Sequence, residues 1–205
     1  NINDLGYLIG PILNAGGRLG KSNYATELLS SNDYKIIDQK SSELFLLNEK
    51  RKLIENKIFE EALDVASKKE SKNFILVYGT NWHNGILGII ASRLVEKFNK
   101  PSIVISLDQN FGIGSARSIE NVDLGNIILL AKHKNIIING GGHKMAAGLK
   151  IEKNNIDLFY NFLSGVFNDY NENYFQKKNY FDVKISSSEI NENLLVDIEQ
   201  LEPYG

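Results

Sequence analysis

The sequence has no cysteine, which excludes disulfide staples and thiolate metal sites together. Histidine is scarce: His83, His133 and His143 stand far apart, and none shares ligand-like spacing with an aspartate. Asp4, Asp108 and Asp123 are equally scattered, so no metal site is expected among these residues. No nucleophile–base pair is visible either. No apolar run approaches the roughly 20 residues of a membrane helix, and the first residues lack a signal-peptide pattern. A cytoplasmic protein without a membrane partner is therefore expected. The net charge of -2 neither demands nor forbids a polyanion, so any nucleic-acid site must be a local patch.

Arginine is also rare. Nineteen of the 23 basic residues are lysine, leaving only Arg18, Arg51, Arg93 and Arg117. Against a background rich in Lys, Asn and Ile, the arginines that remain nominate positions where a planar fork is not replaceable by an ammonium. The chain of 205 residues is 42% hydrophobic and 23% charged, which suits one large or two small globular domains. It opens at Asn1, holds a single methionine (Met145), and stops at Pro203-Tyr204-Gly205 in what reads as a turn. A fragment of a longer protein, cut at both ends, is expected.

Turn formers punctuate residues 1–22, and Ser22 or Asn23 can cap a short helix to about Leu29. Residues 33–69 contain no Gly or Pro, and Leu44, Leu47, Ile54, Ile58, Ala62 and Val65 recur at helical spacing. That predicts one long connector helix, with Arg51 on its apolar stripe. Strand 73–78, helix 85–98 and strand 102–107 predict a βαβ unit. A strand at 111–118, a helix at 123–133, a strand at 144–151 and a helix at 155–167 should follow. Residues 168–178 read as a linker, and 180–185 alternate as a further strand. The fold class expected is α/β, a partly parallel mixed sheet with flanking helices, preceded by the long helix.

Four segments carry candidate chemistry. In GPILNAGGRLG (residues 10–20), glycines bracket Arg18, which either forks onto a phosphate beside converging amides or decorates a tight turn. In YGTNWHNGILG (78–88), a polar loop after a strand carries Trp82 and His83; packing is the favoured role for Trp82, while His83 either donates to a phosphate or caps. In GIGSARS (112–118), alternation sends Ser115 and Arg117 to one face, where they form a monophosphate clamp or a solvated edge. In NGGGHKMAAG (139–148), Gly140, Gly141 and Gly142 would let backbone amides approach a ligand beside His143, or form a plain hairpin loop.

In this order the segments resemble the DHH phosphoesterase family, and most specifically its RecJ-type single-stranded-DNA exonucleases. The matching stretches are GPILNAGGRLG, NEKRKLIE, WHNGILGIIASRLVEKFNKP, GSARS, GGGHKMAAGL and LEPYG. The resemblance implies the end of a DHH catalytic domain at 1–32 and a connector helix at 33–70. A DHH-associated substrate-binding domain at 71–168 would follow, then a linker and the start of an OB-type β domain at 169–205. It further implies a hydrolase acting 5′ to 3′ on single-stranded DNA in repair and recombination. Two Mn2+ or Mg2+ ions would be held by residues upstream, so these residues alone would be inactive. Arg18, Ser115 and Arg117 match positions that hold a terminal phosphate. His143 would face the scissile region as the catalytic residue, and His83 and Gly140–Gly142 remain candidate substrate-binding residues. Single-stranded DNA is the expected partner, with a single-strand-binding protein and a helicase as candidates, and a monomer is expected. The alternatives are an oligonucleotide or cyclic-dinucleotide phosphodiesterase of the same family, and a nucleic-acid-binding module without catalysis.

Overall fold

The computed structural model describes residues 3–68, 73–178 and 181–201. A single π-helical turn (Asp4–Ile9) leads into α1 (Gly10–Arg18), followed by α2 (Tyr24–Ser30) and α3 (Tyr34–Lys68). The glycine-rich segment read as a turn is thus largely helical. Pro11 sits in the first turn of α1, where its missing N–H costs nothing. Gly16 is helical because nothing larger fits: a Cβ there would lie 2.6 Å from the Lys21 carbonyl oxygen and 3.1 Å from Leu44 Cδ2. The chain reverses at Gly20, whose φ of +82° favours glycine. Along α3, Leu44, Ile58 and Ala62 are buried as the stripe predicts, together with Asn48.

The remainder forms one five-stranded sheet. Its strands are β1 (Ile75–Thr80), β2 (Ser102–Leu107), β3 (Phe111–Arg117), β4 (Asn139–His143) and β5 (Ala146–Glu152), in the order β1-β2-β3-β5-β4. Only β1 and β2 are parallel, joined by α4 (Leu87–Phe98); the other pairs are antiparallel. α5 (Leu124–His133) precedes β4, and α6 (Ile156–Asn168) follows β5.

Two cores flank the sheet. On one face Leu76, Ile103, Ile105, Ala116, Leu149 and Ile151 pack with residues of α5 and α6, including Ile128, Phe159 and Leu163. On the other, Ile75, Val77 and Val104 pack against Ile86, Ile90 and Leu94 of α4 and its approach, and against Ile58 and Ala62 of α3. That second cover stops short. On the same face β3 and β5 carry Phe111, Ile113, Ser115, Arg117, Gly148 and Lys150, all exposed or half-buried, while the alternating residues beneath are buried.

The glycine run is strand, not loop. Gly140, Gly141 and Gly142 pair with Leu149, Gly148 and Ala147. A Cβ on Gly140 would meet Ile128 Cγ2 at 2.7 Å, and one on Gly142 would meet the Ala146 oxygen at 2.2 Å. Two of the three glycines are therefore demanded by close packing, and only Gly141 has open space above it. The expected linker at 168–178 differs as well. Tyr170 and Phe175 pack on the α6 core, and Asn99 Nδ2 donates to the Phe175 carbonyl at 2.6 Å. Aromatic burial holds this strap down despite its polar composition.

No strand forms at 181–185; a short 3-10 turn (Ser187–Glu189) and α7 (Glu192–Glu199) follow. Tyr180 and residues 202–205 of the expected OB-type start lie outside the described residues.

The packing predicts unequal tolerance within the glycine run. Gly142→Ala should lose about 1–3 kcal/mol of stability through overpacking, whereas Gly141→Ala should stay within about 0.5 kcal/mol. Urea unfolding of the two variants measures both.

Candidate functional site

The uncovered half-face is where chemistry-bearing side chains meet. Strand alternation sets Ser115 and Arg117 side by side on β3, with Arg117 Nη1 3.3 Å from Ser115 Oγ and 2.9 Å from the Ala116 carbonyl oxygen. The first turn of α4 lies directly over this pair. A Cβ on Gly88 would fall 2.8 Å from Arg117 Nη2 and 3.2 Å from Ser115 Oγ, so glycine is what lets the guanidinium slide beneath the helix. The helix end is itself open to an anion: Ile86 supplies no capping side chain, and the first turn holds no acidic residue.

Arg18 arrives from the C-terminal end of α1. Its Nη1 donates to the Gly85 carbonyl at 3.2 Å, and a Cβ on Gly85 would lie 2.1 Å from the Arg18 carbonyl oxygen. Two glycines thus bring three segments together at one point. Burial first, and the neighbouring Arg18 charge second, pull the Arg117 guanidinium below its ordinary pKa. Among the described residues neither arginine meets a carboxylate. The contrast with the other two is sharp: Arg51 and Arg93 both pair with Glu55, at 2.7 and 3.1 Å, and Arg93 stacks on Phe59 at 3.7 Å. Arg93 ties α4 to α3, while Arg51 pairs within α3. Arg18 and Arg117, with Ser115 beside them, keep their donors free of any carboxylate among the described residues, an arrangement that could accept an anion.

The histidines sit at the rim. His83 is exposed, and its Nδ1 accepts the Gly85 N–H at 3.2 Å. His143 ends β4 in the same cross-strand row as Arg117 and Ala146, and its Nδ1 accepts the Met145 N–H at 3.3 Å. The row places His143 and Arg117 two strands apart on one face, about 10 Å at backbone level. In the neutral state both imidazoles then carry the proton on Nε2, aimed away from the backbone, as a donor. Beside that row, Ser115, Gly148 and Gly141 form a second one, a bare floor continuing into a shallow open depression of about 370 Å3 lined by Asn139, Gly141, Gly148 and Lys150.

Trp82 is packed away, as favoured from sequence. Its ring lies flat on Gly79, its indole N–H donates to Glu61 Oε2 at 2.7 Å, and its carbonyl accepts from Ser106 Oγ at 2.7 Å. Glu61 is the site-positioning residue that sequence reasoning missed: from α3 it anchors the loop presenting His83 and Gly85. Nothing in its spacing separates it from an ordinary solvated helix glutamate. The glycines of residues 10–20 and 139–142 do not present converging loop amides; they lie in α1, its exit turn and β4. Among the described residues no three His, Asp or Glu side chains could hold a metal ion, so the groups present do not fit the metals the resemblance implies. Among those residues too, no helix is long and apolar enough to cross a membrane.

Comparison with known proteins agrees with this architecture. The DHHA1 domain family matches residues 71–169. The single-stranded-DNA-specific exonuclease RecJ of Haemophilus influenzae is 35% identical over 92% of this chain, and the chain covers 34% of that protein. The Bacillus subtilis RecJ is 30% identical over 100% of the chain, which covers 26% of it. The chain thus spans about a third or less of these relatives. The crystal structure of RecJ from Thermus thermophilus in complex with Mn2+ superposes with a TM-score of 0.82 at 24% identity. That match covers 98% of this chain and 30% of the other, and shows the fold.

Two outcomes test this geometry. Glu61→Leu strips the acceptor from a buried indole N–H and should cost about 1–3 kcal/mol, with Glu61→Gln recovering most of it in the same denaturant titration. Arg117 concerns sign. Its folded pKa lies below the unfolded one, so the charged form is the costlier form in the fold. Arg117→Met should therefore raise the melting midpoint in phosphate-free buffer, and added phosphate should stabilise the unsubstituted chain more than the variant. Thermal melts with and without phosphate decide; a lower midpoint for the variant would show the charge already compensated.

Proposed function

This chain belongs with the RecJ-type proteins of the DHH phosphoesterase family, and on that premise we propose that it is the substrate-holding part of a 5′-to-3′ single-stranded-DNA exonuclease. One observation carries the reading: Arg18 and Arg117 converge with Ser115 beneath the uncapped start of α4, with no carboxylate between them among the described residues.

A terminal phosphate monoester carries about −1.5 to −2 charges near pH 7, whereas an internal diester carries one. Two guanidinium groups and a hydroxyl therefore favour a chain end over the chain's interior. Held there, the terminal nucleotide would extend across the bare floor toward His143. The Nε2–H of that imidazole then donates to a phosphate oxygen one nucleotide along, which assigns His143 a catalytic role and His83 a binding role at the rim. Gly141 gives the nucleotide its clearance. Gly140 and Gly142 act indirectly, by letting β4 pack flat.

Mn2+ or Mg2+ would supply water activation and leaving-group stabilisation, held by residues outside this chain, which alone would then hold DNA without cutting it. The reading divides the chain as 1–32 from the catalytic domain, 33–70 as connector, 71–168 as DHH-associated domain and 169–205 as the approach to an OB-type domain. The DHHA1 match to residues 71–169 supports that division. It also places the protein in the cytoplasm, as a monomer acting in repair and recombination, with a single-strand-binding protein and a helicase as partners.

In the full-length protein, Arg117→Ala and Arg18→Ala should each reduce the preference for 5′-phosphorylated over 5′-hydroxyl strands by about 10- to 100-fold, the worth of lost hydrogen bonds to a charged group. Competition digests of the two strands measure it, and equal rates on both in the unsubstituted enzyme would remove the basis for the clamp.

A further inference from the structure

The uncovered face continues past the arginine clamp with a different chemistry. One register step beyond the row of Ser115, Gly148 and Gly141 lies the row of Ile113, Lys150 and Asn139, and Phe111 follows on the same face. Ile113 is 46% and Phe111 42% exposed, although apolar residues on the opposite face of these strands are buried. The Lys150 ammonium lies 4.9 Å from the centroid of the Phe111 ring and forms no ion pair among the described residues. Asn139 spends its Oδ1 on the Gly140 N–H at 2.9 Å, leaving its Nδ2 to donate outward. A Cβ on Gly141 would meet nothing, and one on Gly148 would meet only the Gly114 oxygen at 3.9 Å, so flat backbone borders the Ile113–Lys150–Asn139 row. The patch is also bounded: Glu152 pairs opposite Phe111, and Asp108 lies at the turn before it, so further phosphates would be repelled there.

We propose that Phe111, Ile113, Lys150 and Asn139, beyond the bare Gly141–Gly148 floor, form a second subsite that takes one further nucleotide of the strand anchored by Arg18 and Arg117. This rests on the function proposed above and extends it. The base lies against Phe111 and Ile113, where stacking accepts any base. Its phosphate meets the Lys150 ammonium, and Asn139 adds a neutral donor. A packed protein segment would suit the apolar pair equally well, but continuity with the anion clamp and the unpaired cation beside the ring favour nucleic acid.

The test uses the full-length protein and 5′-phosphorylated strands, either intact or abasic at the second or third position. Phe111→Ala should weaken apparent affinity for the intact strand about tenfold, the worth of one stacked base. On the strand lacking the base that occupies the subsite, the same substitution should change affinity less than about twofold, and Phe111→Tyr should retain intact-strand affinity. No loss on the intact strand overturns the subsite. An equal loss on every abasic strand also overturns it, because the ring would then touch protein rather than a base. Arg117→Ala, scored on 5′-phosphate preference alone, reports separately on the clamp.

Discussion

Two guanidinium groups held within electrostatic reach, with no acid between them among the described residues, are the constraint around which this structure is arranged. Like charges at such a place cost the fold free energy, more so because Arg117 is half-buried. A chain free to change would place a carboxylate there, as it does 38 residues apart at the Glu55–Arg93 contact. The same molecule neutralises two of its arginines through Glu55 and leaves the other two without a carboxylate among the described residues. The uncompensated pair lies at the first turn of α4, whose uncapped end adds positive potential at the same point.

Glycine is the means by which that arrangement is assembled. Gly85 admits the Arg18 carbonyl and Gly88 admits the Arg117 guanidinium, at distances where any Cβ would collide. Gly125 likewise brings α5 onto the backbone of His143, with a Cβ there 2.9 Å from the His143 carbonyl carbon. Within the sheet, among the described residues, only Gly141 and Gly148 have open space above them, and the other sheet glycines serve close approach between elements.

How much of this could be read from residues alone follows the same division. The βαβ unit, the helical stripe from Leu44 to Val65 and the alternation that puts Ser115 beside Arg117 are periodic signals, and periodicity survives without coordinates. Gly-rich stretches misled, because glycine marks both turns and tight packing and only neighbours distant in sequence decide which. Residues 10–18 read as turns yet form α1, and residues 139–142 read as a loop yet form β4. The strap at 168–178 was hidden for the reverse reason: Tyr170 and Phe175 in polar company reveal nothing until Phe167 is there to meet them at 5.5 and 6.5 Å. Glu61 was invisible because its one distinctive act, accepting from the indole of Trp82, spans 21 residues.

The position of that indole links stability to the site. Trp82 is held from three sides, by Glu61 on α3, by Ser106 on β2 and by the flat of Gly79 on β1. The next residues are His83 and, two further on, Gly85, whose carbonyl takes Arg18. The rim of the receptor is therefore fastened to the long helix as well as to the sheet, and α3 also carries the Glu55 clamp to α4. A displacement of α3 along its axis would act on the loop through Glu61 and on α4 through Glu55 at once. Because α1 packs on α3 through Gly16 and Leu44, Arg18 would move with the helix while Arg117 stays with the sheet. The separation of the two guanidinium groups thus depends on how α3 is seated against the sheet, where Ile58 and Ala62 pack with Ile75, Val77 and Val104.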